Sequence, residues 1–471
     1  MSLHSVMMRA AAGLQGGVAP GIPTVLAHTQ QDTVNSSVAS ITMAVPSGVV
    51  AGQTLLAIIV SDSGTRTWLN TAGWVLESPS LSTTSDRAVY SRVAQAGEPA
   101  SYVFTQNGAV RKAGFMLALS SGYFGGAGVP LIASPTITRA PPVAQVIAGL
   151  NLCVFKRGST AGATLTVPAG TTQIGTTQNA NNPTMAMFQR EIPVATPATT
   201  ALETTGSTTS FFGFQIAIHG EQYVTGAQVE YGAGGYYKFA CPVGVSSLSG
   251  VFVGGGAQGG FATSLNAGGG GGALGYGNNI AVTPGAVYVL AVGGFEEATT
   301  FTVGATTYTA PGGSGANGGA LPTNLTGFRG GNGGTGAGNA DANMSGGGGA
   351  GGYSSAGGGG RGGNQSNGSG ASSLIDGAGG GGNGPTPTSG PGGGGVGLKG
   401  AGAAGVGGAY GQGGGGGSGG EIGLLPSGGK YGGGYGASTS SNTGLVAASG
   451  GARLVWPGTT RQFPSTNVDD I

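Results

Sequence analysis

The sequence reads GGGGG at residues 413–417, and similar glycine runs stand at 268–272 and 357–360. Most of the 107 glycines of this 471-residue chain lie after residue 220. Glycine loses more conformational entropy on folding than any other residue, and it has no side chain to bury. The second half of the chain is therefore either disordered or folded by packing backbone against backbone.

Charge is scarce along the whole chain: only 7% of the residues are charged, and the formal net charge is +1. Disordered chains are usually kept soluble by charge, so this composition favours an ordered glycine region. It argues against nucleic acid as a partner, because nucleic-acid binding needs a basic surface. No apolar stretch approaches the roughly 20 residues that span a bilayer. We therefore expect no membrane insertion.

The first half contains an internal duplication of short β-strands. Four blocks recur at a nearly constant offset: residues 51–56, 72–74, 88–92 and 114–119 resemble residues 148–153, 169–171, 186–190 and 213–218. Such repetition indicates two copies of one β-unit, at about residues 24–125 and 126–220 of a duplicated region that spans 24–220. The two copies form either tandem sandwiches or two halves of one larger sandwich, and both arrangements stay open.

Strands also frame the glycine region, which we assign to residues 221–471. Strand-like runs precede the tract at 236–239 and 251–253 and follow it at 451–456, and Pro284-Gly285 predicts a turn between a pair of strands. A disordered linker needs no closing strand. Glycine runs without Cβ atoms can form extended helices of the polyproline type that pack closely through backbone hydrogen bonds. The predicted fold class is mainly β: duplicated β-sandwich modules, then a β-framed glycine-rich domain with packed polyglycine-type helices.

Residues 239–256 (FACPVGVSSLSGVFVGGG), the glycine tract and residues 450–458 (GGARLVWPG) carry a family resemblance. Together they resemble the glycine-rich domain of bacteriophage tail-fibre and virion structural proteins of the marine or cyanobacterial phage type. The first half is similar to β-sandwich modules of such proteins through residues 45–48 (VPSG) and 98–102 (EPASY). The resemblance covers most of residues 40–466.

This resemblance implies a non-enzymatic structural protein of the virion, at the tail or the particle surface. A tail fibre or adhesin would contact other virion proteins through an N-terminal arm, residues 1–23. Its distal glycine-rich domain would serve host attachment by binding a cell-surface glycan or an outer-membrane protein. The resemblance also implies a homo-oligomer, such as a trimer. The alternative is a capsid or tail decoration protein that stabilises the particle and binds no receptor.

Receptor binding would need exposed aromatic and charged side chains, because stacking and cation–π contacts depend on them. The candidates in the glycine region are Arg329, Tyr353, Arg361, Tyr410, Lys430, Tyr431 and Tyr435. The other interpretation is that these side chains only cap and solubilise the glycine core. We expect residues 421–431 to form a loop that can be shortened without unfolding the domain.

No catalytic, cofactor or metal site is predicted. The three histidines and two cysteines are too far apart for metal-ligand spacing: His4, His28, His219, Cys153 and Cys241. His219 ends an apolar strand, and we expect it at the surface or as a cap. The adjacent acids Glu296 and Glu297 would point to opposite faces of a strand, whereas a glycosidase needs two carboxylates across a cleft. Hydrolysis of the kind some tailspikes perform is the weaker alternative.

Overall fold

The computed structural model describes residues 22–33, 36–62, 66–78, 87–128, 131–132, 137–157, 166–177, 184–205, 211–220, 226–259, 267–335, 344–362, 369–382, 390–424, 426–437 and 448–465. Within these ranges the chain is all β, in several antiparallel sheets and without a helix, which confirms the predicted class. No helix of these ranges has the length and apolar character to cross a membrane. Residues 1–21 of the predicted arm lie outside them.

The first repeat forms a small two-sheet sandwich. The strands of the first sheet are β1 (Val25–Asp32), β3 (Thr54–Ser61), β4 (Val75–Ser78), β5 (Arg87–Val93) and β7 (Lys112–Leu119), and their order in the sheet is β1-β7-β3-β5-β4. The second sheet is the pair β2 (Val38–Ala44) and β6 (Ser101–Val110). The core between the two sheets includes Ile41, Leu55, Trp74 and Phe104. Alternate residues of β3, β5 and β7 reach this core, as expected for strands that contribute one face to it.

The second repeat has the same strand order. Its strands are β8 (Tyr123–Gly128), β9 (Leu131–Ile132), β10 (Ile137–Ala140), β11 (Gly149–Arg157), β12 (Thr172–Thr177), β13 (Thr184–Ile192), β14 (Leu202–Thr205) and β15 (Phe211–His219). The order β8-β15-β11-β13-β12 matches β1-β7-β3-β5-β4, and the pair β10-β14 matches β2-β6. Gly73 and Gly170, from one of the repeated blocks, take equivalent turns with φ of 75° and 73°.

The two repeats pack against each other through their five-stranded sheets, on the sides that face away from the sandwich cores. A shared core holds Leu56 and Phe115 of the first repeat against Leu152, Phe214 and Ile216 of the second. Each repeat is thus a sandwich of its own, and a third core joins the two. Because β3 is covered on both faces, all eight of its residues are buried, which explains its continuous apolar run in place of alternation.

The sheet of the second repeat continues into the C-terminal half. Four strands extend it: β17 (Gly235–Ala240), β20 (Val287–Val292), β21 (Thr299–Val303) and β22 (Thr306–Ala310). Strand β8 pairs with β15 on one side and with β17 on the other, and β20, β21 and β22 follow β17 in order, which gives a sheet of ten strands. One hydrogen-bonded sheet therefore crosses the position at which the sequence suggested a boundary between residues 220 and 221.

A second five-stranded sheet frames the glycine region. Its order is β16-β24-β18-β19-β23, formed by β16 (Gln228–Tyr231), β18 (Ser247–Val253), β19 (Leu274–Ala281), β23 (Thr326–Phe328) and β24 (Gly451–Val455). A core with Phe239, Phe252, Phe301 and Trp456 packs this sheet against the ten-stranded one. Strand β24 lies between β16 and β18, so the end of the chain closes the frame. The turn at Pro284-Gly285 leads from β19 to β20, which belong to different sheets and do not form the expected pair.

The glycine segments exchange backbone hydrogen bonds with a period of three residues. Segment 344–352 shows the pattern most completely. Successive amides of this segment donate to carbonyl oxygens of three different neighbouring segments, and every third amide donates to the same segment. Gly346 and Gly349 donate to Arg361 and Gly358. Gly347 and Ala350 donate to Pro391 and Gly394, and Gly348 and Gly351 donate to Gly269 and Gly272, all at 2.8–3.1 Å. The segment also accepts bonds from further neighbours, so other backbone surrounds it.

Close approach of backbone to backbone explains the glycines. A Cβ atom added at Gly349 would lie 2.1 Å from the carbonyl oxygen of Ala378, and one at Gly414 would lie 2.0 Å from that of Gly379. No side chain fits at such distances. The few larger residues of the region, among them Val396 and Leu398, pack in one core against the side of β18 and β19 that faces the glycine segments.

Adjacent glycines in one segment provide a matched test of this packing. A Cβ at Gly358 would meet the Ala371 oxygen at 2.0 Å, whereas one at Gly359 has its nearest neighbour, the Asn332 oxygen, at 3.6 Å. We expect Gly358→Ala to lower the free energy of unfolding by about 2 kcal/mol or more through overpacking. Gly359→Ala should change it by less than about 1 kcal/mol. Urea unfolding of both variants measures this, and equal destabilisation would contradict the packing explanation.

His219, expected at the surface or as a cap, is buried instead. It ends β15 with 4% of its surface exposed. Its ring lies over Gly125, where an added Cβ would be 2.3 Å away. Among the described residues Nε2 has no hydrogen-bond partner. Burial disfavours the charged imidazolium and lowers the pKa of His219 to about 4.

This pKa predicts acid sensitivity. The folded-state pKa of His219 lies below the unfolded value of about 6.5, so the unfolded state binds more protons between the two values. The part of the free energy of unfolding that depends on His219 should therefore be fully present above pH 6.5, fall by about 3 kcal/mol between pH 6.5 and 4, and stay constant below. In a His219→Gln variant, urea titrations across this window should lack that part of the slope. An identical pH profile for the variant and the parent chain would refute the assignment.

Candidate functional site

Four segments lie side by side as the outer layer of the glycine region: 369–373, 404–409, 412–418 and 420–424. Backbone hydrogen bonds connect each to the next. The amide of Gly370 donates to Gly408 (2.9 Å), that of Gly415 to Val406 (2.7 Å), and that of Gly423 to Gly414 (2.8 Å). Segment 412–418 therefore lies between 404–409 and 420–424.

In segment 404–409, every third residue faces the glycine layer below, and residues between these positions face solvent. Gly405 and Gly408 are buried, and their amides donate to Gly377 and Gly380 of the layer below, both at 2.8 Å. Val406, between them, is 70% exposed. Glycine is therefore needed at the inward positions, and the outward positions are free to carry side chains.

Three exposed side chains of this layer are aliphatic: Val406, Ile422 and Leu424. Leu374 and Ile375 directly follow segment 369–373, Tyr410 directly follows segment 404–409, and all three are exposed as well. We call these six residues the outer face. Single exposed apolar residues are ordinary on protein surfaces, whereas contiguous groups of them are common at interaction sites. The exposed side chains of Glu421 and Lys430 lie at its edge, where the amide of Glu421 donates to the Lys430 carbonyl (2.9 Å).

The outer face also ends the stacking of glycine layers. In the stacked layers, carbonyl oxygens of one segment lie only about 2 Å from where a Cβ atom of the next segment would be. A further glycine layer on this surface would need the same close approach. The side chains of Val406, Ile422 and Leu424 occupy that space. Contact with this surface would therefore be made through side chains and not by further backbone stacking.

Three of the seven residues predicted from sequence are exposed, namely Arg329, Tyr410 and Lys430, and Arg361 and Tyr431 are half-buried. Tyr410 belongs to the outer face and Lys430 to its edge. Arg329 is exposed directly after β23, and Arg361 is half-buried on segment 356–362. The structure thus brings only Tyr410 and Lys430 to one surface.

The other three tyrosines hold the bundle together. Tyr353 and Tyr435 are each 1% exposed, so neither ring offers a surface to a receptor. The Tyr353 hydroxyl donates to the Gly397 carbonyl and accepts from the Gly400 amide, both at 3.1 Å. Tyr431 is half-buried, and its hydroxyl donates to Glu230 of β16 (2.9 Å). Burial here serves packing and docking onto the sheet.

The sequence interpretation missed the aliphatic members of the outer face because it sought aromatic and charged side chains. The available signal was a branched residue inside a run of glycine and alanine, as at Val406. The expected loop at 421–431 is also different in the structure. Its first part is a packed segment that accepts hydrogen bonds from Gly392 and Gly395 through Leu424 and Glu421 (2.9 Å each), so shortening it would remove structural bonds.

In the described part of the chain, no group of three histidine, cysteine or acidic side chains lies close enough to hold a metal ion. Glu297 accepts the Gly294 amide through Oε2 (3.0 Å), and burial raises its pKa. Glu296 accepts the Gly315 amide (3.4 Å). Both carboxylates therefore cap backbone amides near the first glycine segments.

Comparison of the chain with protein families, with curated proteins and with solved structures found no match.

Exposure of the outer face predicts a measurable surface property. A triple variant, Val406→Ser, Ile422→Ser and Leu424→Ser, should bind a dye specific for exposed apolar surface, such as ANS, less than the parent chain. Because these side chains are exposed, each change should alter the free energy of unfolding by no more than about 0.5 kcal/mol. Leu321→Ser, which changes a side chain with 62% exposure outside this face, is the control. Undiminished dye fluorescence in the triple variant would contradict the prediction.

Proposed function

We propose that this chain is a bacteriophage virion structural protein, a tail fibre or adhesin that attaches the particle to its host through the glycine-rich region. The supporting observation is the outer face: six exposed, mainly apolar side chains on a layer whose backbone is bonded to the layer beneath. A surface that is rigid before binding loses little entropy when a partner docks. The family resemblance of the frame strands agrees with this role.

The scaffold behind the outer face consists, in this proposal, of packed polyglycine helices of the polyproline type. Two observations support this. Segment 344–352 returns to the same neighbour at every third residue, which is the period of a helix with three residues per turn. Its glycines are also absent from the residues with positive φ, as expected for a helix whose φ is near −75°.

The chemistry of the outer face favours a protein receptor, such as an outer-membrane protein. Val406, Ile422 and Leu424 offer aliphatic surface, whose burial on binding is favourable by about 25 cal/mol per Å². Sugars present hydroxyl groups that need polar partners, and these three residues have none. Residues 1–23 would contact other virion proteins, and the chain would act as a homo-oligomer such as a trimer, without an enzymatic step.

Cell binding tests the proposal. The full chain, fluorescently labelled, should bind cells of a strain to which the encoding particle adsorbs. The triple serine variant of the outer face should lose at least about tenfold in affinity, because it removes apolar area from the contact. Leu321→Ser should bind as the parent chain does. Equal binding of the triple variant and the parent chain would refute a receptor role for this face.

The alternative is a decoration protein that uses the same face to cover other virion proteins. Cryo-electron microscopy of the intact particle separates the two functions. An adhesin should appear in few copies at the tail with the glycine region outermost. Many copies in a regular arrangement over the capsid, with the outer face turned inward, would favour decoration and exclude attachment.

A further inference from the structure

A groove with a volume of about 530 Å³ lies beside the bulged strand β19, between β22 and the residues that lead into β23. Six of its lining residues matter here: Tyr276, Asn279, Tyr308, Asn324, Leu325 and Thr326. None of the outer-face residues lines it. The volume falls within the range of about 300–1,000 Å³ that is common for small-molecule sites.

Several polar groups of the groove are not used by the fold. Among the described residues, the hydroxyls of Tyr276 and Tyr308 and the side-chain amide of Asn279 have no hydrogen-bond partner. Asn278, the neighbour of Asn279, differs: its amide donates to the Phe463 carbonyl (2.6 Å), and its oxygen accepts the Phe463 N–H (2.9 Å). Asn278 therefore fixes the groove wall, and Asn279 remains available to a ligand.

The backbone holds both asparagines at the groove in an uncommon conformation. Asn279 and Asn324 have φ of 51° and 58°, and they are two of the four non-glycine residues with positive φ in the described chain. The pairing of β18 with β19 also shifts register between Leu248 and Gly250, opposite this part of β19. Bulges and left-handed residues of this kind often aim a side chain at a functional site.

The two tyrosines are held by other aromatic rings. Tyr276 packs against Tyr353 and Phe463, with ring centroids 5.8 and 6.4 Å away. Tyr308 packs against Phe301 at 6.5 Å. Rings supported in this way lose little side-chain entropy when a ligand stacks on them, and their faces carry partial negative charge.

The lining residues include hydroxyls, amides and aromatic rings but no charged side chain. Burial raises the pKa of Tyr276, and the negative charge of Asp376 adds to this rise. A sugar ring matches these groups, because its C–H face packs on an aromatic ring and its hydroxyls bond to the tyrosine hydroxyls and to the amide of Asn279. The amide of Asn324 already donates to the Thr307 carbonyl (2.9 Å) and shapes the groove instead. We propose that this groove binds a neutral oligosaccharide. The proposal rests on the groove alone and does not depend on the function assigned to the outer face.

Direct binding to the purified full chain tests it. An array of neutral hexose and N-acetylhexosamine oligosaccharides, with sialylated and uronic-acid oligosaccharides beside them, should show binding to neutral members and weaker binding to acidic ones. Calorimetry with the best neutral member then gives its affinity. Absence of neutral binding with a Kd below about 1 mM, or preference for acidic members, would overturn the proposal.

Two conservative variants locate the site. Asn279→Gly removes the amide, and glycine accepts the positive φ at no steric cost. Tyr308→Phe removes only the hydroxyl. Each should weaken neutral-glycan binding about tenfold with an unchanged melting temperature, whereas Tyr410→Phe on the outer face should bind as the parent chain does. Unchanged glycan binding in both groove variants would also overturn the proposal. Glycan binding retained by the triple serine variant would show that the two surfaces act separately.

Discussion

Contact of backbone with backbone is the interaction on which the C-terminal half depends. A glycine amide that donates to a neighbouring segment brings its own Cα to within reach of a carbonyl oxygen, as at Gly349 and Gly414. The closeness excludes every side chain, so the composition of the tract follows from its packing. It also means that the tract has almost no hydrophobic core of its own. Hydrogen bonds that replace bonds to water add only modestly to stability, and glycine is entropically costly to order.

The β-sheets supply what the glycine segments lack. Strand β18 continues directly into glycine segment 254–259, and segment 267–273 leads directly into β19, so the sheet fixes where the first segment starts and where the second ends. The opposite face of the same sheet is covered by a core of aromatic side chains, among them Phe252 and Trp456. The few large residues of the tract, such as Tyr353, pack on the other face. A frame with hydrophobic cores therefore organises a region that could not nucleate by itself.

The same geometry separates structure from recognition. Inward positions are occupied by glycine or, as at Ala350, by alanine, whereas outward positions of the last layer can carry larger side chains. Val406 and Ile422 show how such positions create an apolar surface on a rigid base. The proposed glycan groove follows a different principle, since it lies in the β frame, where a bulge and two left-handed asparagines hold polar groups in place. An attachment protein with both surfaces would contact a protein and a sugar independently.

The sequence by itself determined the all-β class, the backbone-packed character of the glycine region and the recurring blocks, which lie on equivalent strands and, for residues 72–74 and 169–171, on an equivalent turn. These depend on local composition and on short patterns, which remain visible without knowledge of neighbours. The tertiary structure alone decided that the two repeats share a core, that one sheet crosses residue 220, and that β19 and β20 belong to different sheets. It also decided that His219, Tyr353 and Tyr435 are buried, while Val406, Ile422 and Leu424 are exposed. A glycine run carries no pattern of large and small side chains to specify its neighbours. Only the packing of distant segments distinguishes an inward position from an outward one.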